Sequence, residues 1–179
     1  MSDPLEWETL DESVAYSCPG FDVIHEEVRL PDGTETEFDY AREPPAAVIL
    51  PFTPEGEVVL IEEWRHAVKR VNRGLPAGSM EPDEDMETAA RRELAEETGY
   101  EADRVENLTT AEPANGLLDV VHHYFVAHDC EPTAEKDLDF NESIRVTTAD
   151  WDALLEEVQS GEIRDGRTAL GVLRYALST

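Results

Sequence analysis

The stretch from Gly78 to Tyr100, GSMEPDEDMETAARRELAEETGY, constrains this chain more than any other. Its first part, with Glu81, Asp83 and Glu84, reads as a loop. A helix follows, opened by a cap at Asp83 or Asp85 and closed at Gly99, a residue suited to the left-handed position past a helix end. Glu93, Glu96 and Glu97 fall at i, i+3 and i+4, which stacks three carboxylates on one exposed face about one turn long. Like charges spaced in this way destabilise a bare helix, and no basic residue is expected on that face. Hard divalent cations, which take oxygen ligands, would compensate them. The other side carries Met86, Ala89, Ala90 and Leu94, an apolar stripe whose small residues permit close packing.

These residues resemble the Nudix signature, which runs Gly, five residues, Glu, seven residues, then Arg-Glu-apolar-x-Glu-Glu-x-Gly-apolar. Gly78, Glu84, Arg92, Glu93, Leu94, Glu96, Glu97, Gly99 and Tyr100 stand at every required place. A solvated acidic helix would explain the carboxylates but not the glycines, the arginine and the spacing together. The resemblance extends over nearly the whole chain and is similar to the ADP-ribose pyrophosphatase branch. Its marks are Trp7, Phe21-Asp22-Val23, Val28 to Gly33, Glu62-Glu63-Trp64-Arg65, Leu75-Pro76-Ala77-Gly78 and Ser160-Gly161-Glu162-Ile163. Two departures concern positions that touch substrate in that branch. Gly74 stands where the branch usually has Glu, and Ala114-Asn115-Gly116 followed by Asp119 and Val120 replaces a Ser-Pro-Gly loop with an acidic pair.

Read in order, residues 1–45 form extended strands, with Pro31-Asp32-Gly33 as a turn and Arg42-Glu43-Pro44-Pro45 as a break before the main domain, 46–179. Ala46–Phe52 and Val58–Ile61 are apolar runs joined by a Thr53-Pro54-Glu55-Gly56 turn, which predicts neighbouring strands. Val105–Thr110, Val120–Ala127 and Ile144–Val146 read as further strands, with an acidic loop over Glu131–Asn141. Trp151, Leu154, Leu155 and Val158 mark an amphipathic helix ending at Gly161, and another helix spans Arg167–Leu177. Strands mixed with helices predict an α/β layered domain. The resemblance implies the Nudix α/β/α sandwich with a mixed β-sheet, preceded by an N-terminal β extension.

The resemblance also implies a chemistry: metal-dependent hydrolysis of a nucleoside diphosphate linked to another moiety, foremost ADP-ribose to AMP and ribose 5-phosphate. Another sugar nucleotide or dinucleotide, such as a GDP-sugar or NADH, is the alternative substrate. A nucleotide-sensing module that does not cleave is a third reading, but this chain keeps every carboxylate of the signature. By the same resemblance Glu93, Glu96, Glu97 and the Ala77 carbonyl would hold Mg²⁺ or Mn²⁺. Arg65, Arg42, Ser79, Asn115 and Gly116 would bind substrate. Gly78, Glu84, Arg92 and Gly99 would be structural, with Arg92 pointing off the metal face and pairing with Glu84. Glu142 best matches the acid that activates water or binds a further metal in that branch, and Asp139 lies close by; the choice stays open. In this branch N-terminal strands exchange between subunits, which implies a homodimer; a local hairpin is the simpler use of those strands. His122 and His123 are consecutive in a predicted strand, so they face opposite ways and cannot share one site.

Composition closes off other classes. Lys+Arg 14 against Asp+Glu 42 gives a formal charge of −28. That balance opposes nucleic-acid binding, since each phosphate contact needs a cation, and excludes a polybasic membrane patch. The acids lie along every segment, a pattern similar to proteins of salt-accumulating halophiles. At molar salt the Debye length is about 3 Å, so self-repulsion is largely screened. Cys18 and Cys130 lack metal-ligand spacing and read as free thiols. No apolar run approaches a membrane span, and the acidic start lacks the pattern of a signal peptide. A cytoplasmic enzyme is expected.

Overall fold

The computed structural model describes residues 3–140 and 142–178. In chain order the strands before the first helix are β1 (Glu8–Cys18), β2 (Phe21–Arg29), β3 (Glu35–Arg42), β4 (Ala46–Pro51), β5 (Val58–Arg65), β6 (Arg70–Gly74) and β7 (Ala77–Ser79). Helix α1 (Met86–Thr98) follows, then β8 (Glu101–Ala111), β9 (Leu118–Asp119), β10 (His122–Glu131) and β11 (Ile144–Ala149), and finally α2 (Trp151–Ser160) and α3 (Gly166–Ala176). The chain forms two compact units: Met1–Pro44 with Glu112–Val121, and Pro45–Ala111 with His122–Thr179.

The smaller unit is one sheet in the order β1-β2-β3-β9. The Pro31-Asp32-Gly33 turn joins β2 to β3: Gly33 sits at φ 88, and the Thr34 amide donates to Asp32 Oδ1 at 2.9 Å. β9 then pairs parallel to β3, Arg42 opposite Asp119. Strand β1 is exposed almost throughout, whereas Ile24 and Val28 on β2 are buried.

The larger unit has helices on both faces of a mixed sheet, β7-β4-β10-β8, in which β4 and β10 run parallel. β4 is buried along its whole length because both of its faces are covered, which is why it reads as an unbroken apolar run. Val48, Leu50 and Tyr124 pack toward Leu154, Val158 and Val172 of α2 and α3. Ala47, Ile49 and Phe125 meet Ala89, Ala90 and Leu94 of α1 on the opposite side. A second sheet, β11-β5-β6, is antiparallel.

The strands predicted as neighbours over Ala46–Phe52 and Val58–Ile61 are therefore in different sheets. Among the described residues their ladder pairing is one isolated bridge, Phe52 to Val58. The turn reverses the chain as expected, but β4 satisfies its backbone with β10 and β7, and β5 with β11 and β6. The strand expected from Val120 begins at His122, and β6 and β7 are additions to the sequence reading. The acidic segment over Glu131–Asn141 has no helix or strand between Pro132 and Phe140, and Asn141 lies outside the described residues. Both cysteines are free. Among the described residues no helix is long and apolar enough to cross a membrane.

Candidate active site

Helix α1 forms where its caps put it. Asp85, extended at φ −84, accepts from the amides of Glu87 and Thr88, each at 3.1 Å, and is the cap in preference to Asp83. Gly99 ends the helix at φ 77, its amide on the Ala95 carbonyl. Ala89, Ala90 and Leu94 seat the helix on the sheet, and this turns the carboxylates toward β7 and β5.

Glu97 lies under β7. It is 3% exposed, and its Oε2 accepts from the Ala77 amide at 2.9 Å. The exposed face expected for Glu97 is thus covered, because the short strand Ala77–Ser79 crosses above it. Burial pushes the Glu97 carboxyl up to about 8; the Ala77 amide opposes the rise, and Glu93, Glu142 and Glu63 add to it. Glu93 is pushed up to about 7, again chiefly by burial, with Arg92 pulling it back and Glu96 and Glu142 raising it. Gly78 makes room for this side chain: a Cβ there would lie 2.1 Å from the Glu93 carboxyl carbon.

Arg92 joins loop to helix. Its Nε and Nη2 each reach a Glu84 oxygen at 2.9 Å, and Nη2 also donates to the Ser79 carbonyl at 3.0 Å. The pairing with Glu84 is the one expected, and Arg92 holds that carboxyl below its ordinary value. The expectation that Arg92 points away from the glutamates is corrected: Nη1 donates to Glu93 Oε1 and Glu96 Oε2, both at 2.8 Å. A guanidinium has enough donors to serve loop and helix at once, so the face predicted to lack a base has one.

Glu142 accepts from the Asp139 amide at 3.1 Å, closing a small loop before β11, and its charge acts on Glu63, Glu93 and Glu97. Asp139 offers that amide and its carbonyl to the same turn. Glu63 joins the group unexpectedly. Burial raises its carboxyl, while its partner Arg65, at 2.8 Å, pulls it down. Period-two alternation along β5 was the available signal, since residues 63 and 65 share a face. Beyond them Arg167 and Asp165 stand near His122, whose Nδ1 is buried and unpartnered. Burial lowers the His122 pKa, and the nearby Arg167 charge lowers it further.

In the smaller unit Asn115 and Gly116 line a cavity of about 340 Å³ with Phe38, Tyr40, Glu112 and Asp119. Asn115 donates to Glu112 at 3.0 Å. Arg42 donates to the Tyr40 hydroxyl at 2.7 Å and lies 3.5 Å from Asp119. Phe38 and Tyr40 present rings 6.2 Å apart.

Glu93 and Glu96 turn to Arg92, and among the described residues no three acidic, histidine or cysteine side chains converge on one point as metal ligands. The donors nevertheless suit a hard divalent cation: they are carboxylate oxygens, and those of Glu93 and Glu97 are raised by burial and by neighbouring carboxylates, which a bound cation would offset. Gly78 keeps the space around the Glu93 carboxyl open.

A model of the NUDIX domain matches residues 42–167. The chain belongs to the Nudix family. An ADP-ribose pyrophosphatase of Bacillus subtilis (strain 168) is 31% identical over 169 residues, covering 94% of this Nudix chain and 91% of the relative. A GDP-mannose pyrophosphatase of Salmonella typhimurium is 33% identical over 144 residues, covering 76% and 74%. A solved structure described as an ADP compounds hydrolase superposes with a TM-score of 0.84 at 20% identity, covering 98% of this chain and 95% of that one. At that identity the likeness speaks for the fold, the Nudix sandwich with helices on both faces of a mixed sheet. The chain is a Nudix pyrophosphohydrolase.

Proposed function

We propose that this Nudix enzyme hydrolyses ADP-ribose to AMP and ribose 5-phosphate with Mg²⁺ or Mn²⁺. The observation that carries the chemistry is the mutual crowding of Glu93, Glu63 and Glu142 around the buried Glu97, with the Glu93 and Glu97 carboxyls pushed up to about 7 and 8. Such a group gains most from a divalent cation, and the substrate is itself an anion. The substrate choice is supported by the relative from Bacillus subtilis, which matches nearly the full length. GDP-mannose, or another sugar nucleotide or dinucleotide such as NADH, is the second reading, favoured by the Salmonella relative and by Gly74 in place of the usual Glu.

In this reading Glu93, Glu97 and Glu96, with the Ala77 carbonyl, hold the metal. Bound there, the ion would neutralise charge on the diphosphate and acidify a water. The Ala77 amide fixes one oxygen of Glu97, leaving the other for the ligand. Arg92 restrains Glu93 and Glu96 and would yield them on loading. Arg65 offers a planar fork to a phosphate oxygen once it leaves Glu63. Glu142 takes the proton that the attacking water loses as the new P–O bond forms and the bridging P–O bond breaks. Ser79 borders the diphosphate, and Arg42, Asn115 and Gly116 are the substrate-binding residues of the smaller unit. The chain works as a homodimer through its N-terminal strands, a reading supported by the exposed Trp7, Val14, Tyr16 and Phe38 of the smaller unit. Its acidity is an adaptation to concentrated salt.

The test is a substrate panel of ADP-ribose, GDP-mannose and NADH, with products identified by chromatography, run with Mg²⁺ and with chelator at low and molar KCl. AMP and ribose 5-phosphate, formed fastest from ADP-ribose and only with metal, are expected. Faster turnover of another substrate moves the assignment to it, and turnover undiminished by chelator refutes the metal role.

A further inference from the structure

A cavity of about 420 Å³ lies in the larger unit between β6 and the connection from α2 to α3. Arg70, Arg73 and Arg164 line it. In this chain Asp+Glu 42 stand against Lys+Arg 14, so any cation has many available partners. Yet among the described residues Arg70, Arg164 and Arg174 are the arginines without an acidic partner, and two of them are here. Arg73 holds Glu157, and Glu162 is the other acid in the wall. The wall therefore has an excess of positive charge on a molecule of formal charge −28.

The position of Arg70 sharpens the point. It stands directly opposite Arg65 in the β5–β6 register, and like charges so placed destabilise a sheet. Arg65 is relieved by Glu63 at 2.8 Å; Arg70 has no such relief. A third guanidinium from the α2–α3 connection adds to the same cavity rather than to one of the many surface carboxylates. Planar guanidinium groups match phosphate oxygens in bidentate fashion. The volume is within the range of small-molecule sites, and Val71, 57% exposed, gives the wall an apolar part for a carbon skeleton.

We propose that this cavity is a second anion site, separate from the glutamate group on α1, and that it takes a phosphate monoester of mononucleotide size. Arg70 and Arg164 bind the phosphate, and Val71 packs against the sugar. The assignment does not depend on which diphosphate the enzyme cleaves.

The experiment titrates the metal-free, full-length protein with AMP, ribose 5-phosphate and inorganic phosphate, at one fixed KCl concentration, by calorimetry. The same titrations follow on Arg164→Ala and on Arg70→Ala/Arg164→Ala, with melting temperature and turnover measured alongside. One monoester per chain is expected, weakened at least tenfold in the double variant, while in Arg164→Ala KM and kcat for the cleaved diphosphate change less than twofold. Arg164 is exposed, so its single variant keeps the test intact if the double variant unfolds. Binding unchanged in a folded variant would overturn the site. A raised KM would place these arginines in the substrate site instead, and inorganic phosphate binding as tightly as both monoesters would overturn the ligand class.

Discussion

A Cβ on Gly78 would lie 2.1 Å from the carboxyl carbon of Glu93. The β7 backbone and the helix carboxylate meet with no room for a side chain between them. Gly78→Ala must therefore push the Glu93 carboxylate aside. The displaced group is the end of a flexible side chain, so melting temperature should fall by only a few degrees. Turnover should fall on the order of 10²-fold, the scale of an ångström misplacement in a site. An alanine variant with unchanged kcat and metal affinity would show that Glu93 need not sit there.

Glu97→Gln should nearly abolish turnover, by at least on the order of 10²-fold, while leaving the fold intact. The glutamine oxygen can still accept from the Ala77 amide, so circular dichroism should match the parent. Near-normal turnover at saturating Mg²⁺ in a folded variant would remove Glu97 from the proposed ligands.

The same residue governs a pH effect. Glu93 and Glu97 have folded-state values raised to about 7 and about 8, so between the ordinary carboxylate range and pH 8 the folded protein binds more protons than the unfolded chain. Stability from these groups is complete at low pH and is lost as pH rises through 7 and 8. Metal-free protein should melt at progressively lower temperature from pH 5 to pH 8.5 at fixed salt. Glu97→Gln should show a shallower decline. Mg²⁺ should stabilise more as pH rises, because it binds the ionised forms. Equal slopes in the two proteins would count against the buried Glu97 carboxyl.

Arg92→Lys keeps the charge but loses the fork on Glu84 and the reach to Ser79, Glu93 and Glu96. We expect a loss of about 1–3 kcal/mol in stability and faster hydrogen exchange at the amides of Glu81 and Glu84. Protection equal to the parent would mean that the loop does not depend on this guanidinium.

Melting temperature should climb with KCl from dilute buffer to several molar, because screening relieves a formal charge of −28. Turnover should rise, then level or fall as salt competes for Mg²⁺ and for Arg65. A protein most stable and most active in dilute buffer would need another explanation for its acidity.

The extent of α1 was legible because caps are local: Asp85 and Gly99 end the helix by their own chemistry, and Arg92 finds Glu84 through the signature spacing. The cover over Glu97 was not. Periodicity gives a helix its faces but not the strand that crosses them, and Ala77–Ser79 is too short to show a pattern of its own. The signature spacing gives Arg92 one partner, although a guanidinium carries donors for several. Glu63 was hidden by abundance, one acid among many, and only its alternation with Arg65 could have singled it out. For β4 and β5, turn residues announced a reversal, but their hydrogen-bond partners are β10 and β7 for one and β11 and β6 for the other.

The sheet of the smaller unit is completed by β9, which arrives some seventy-five residues after β3. A gene fragment ending at Pro44 would thus encode β1, β2 and β3 without their last neighbour, and a fragment starting at Pro45 would carry Leu118 and Asp119 with nothing to pair against. The unit cannot be grafted or shed as a cassette. A truncation that is to keep this sheet whole must keep both the N-terminal strands and the Glu112–Val121 excursion.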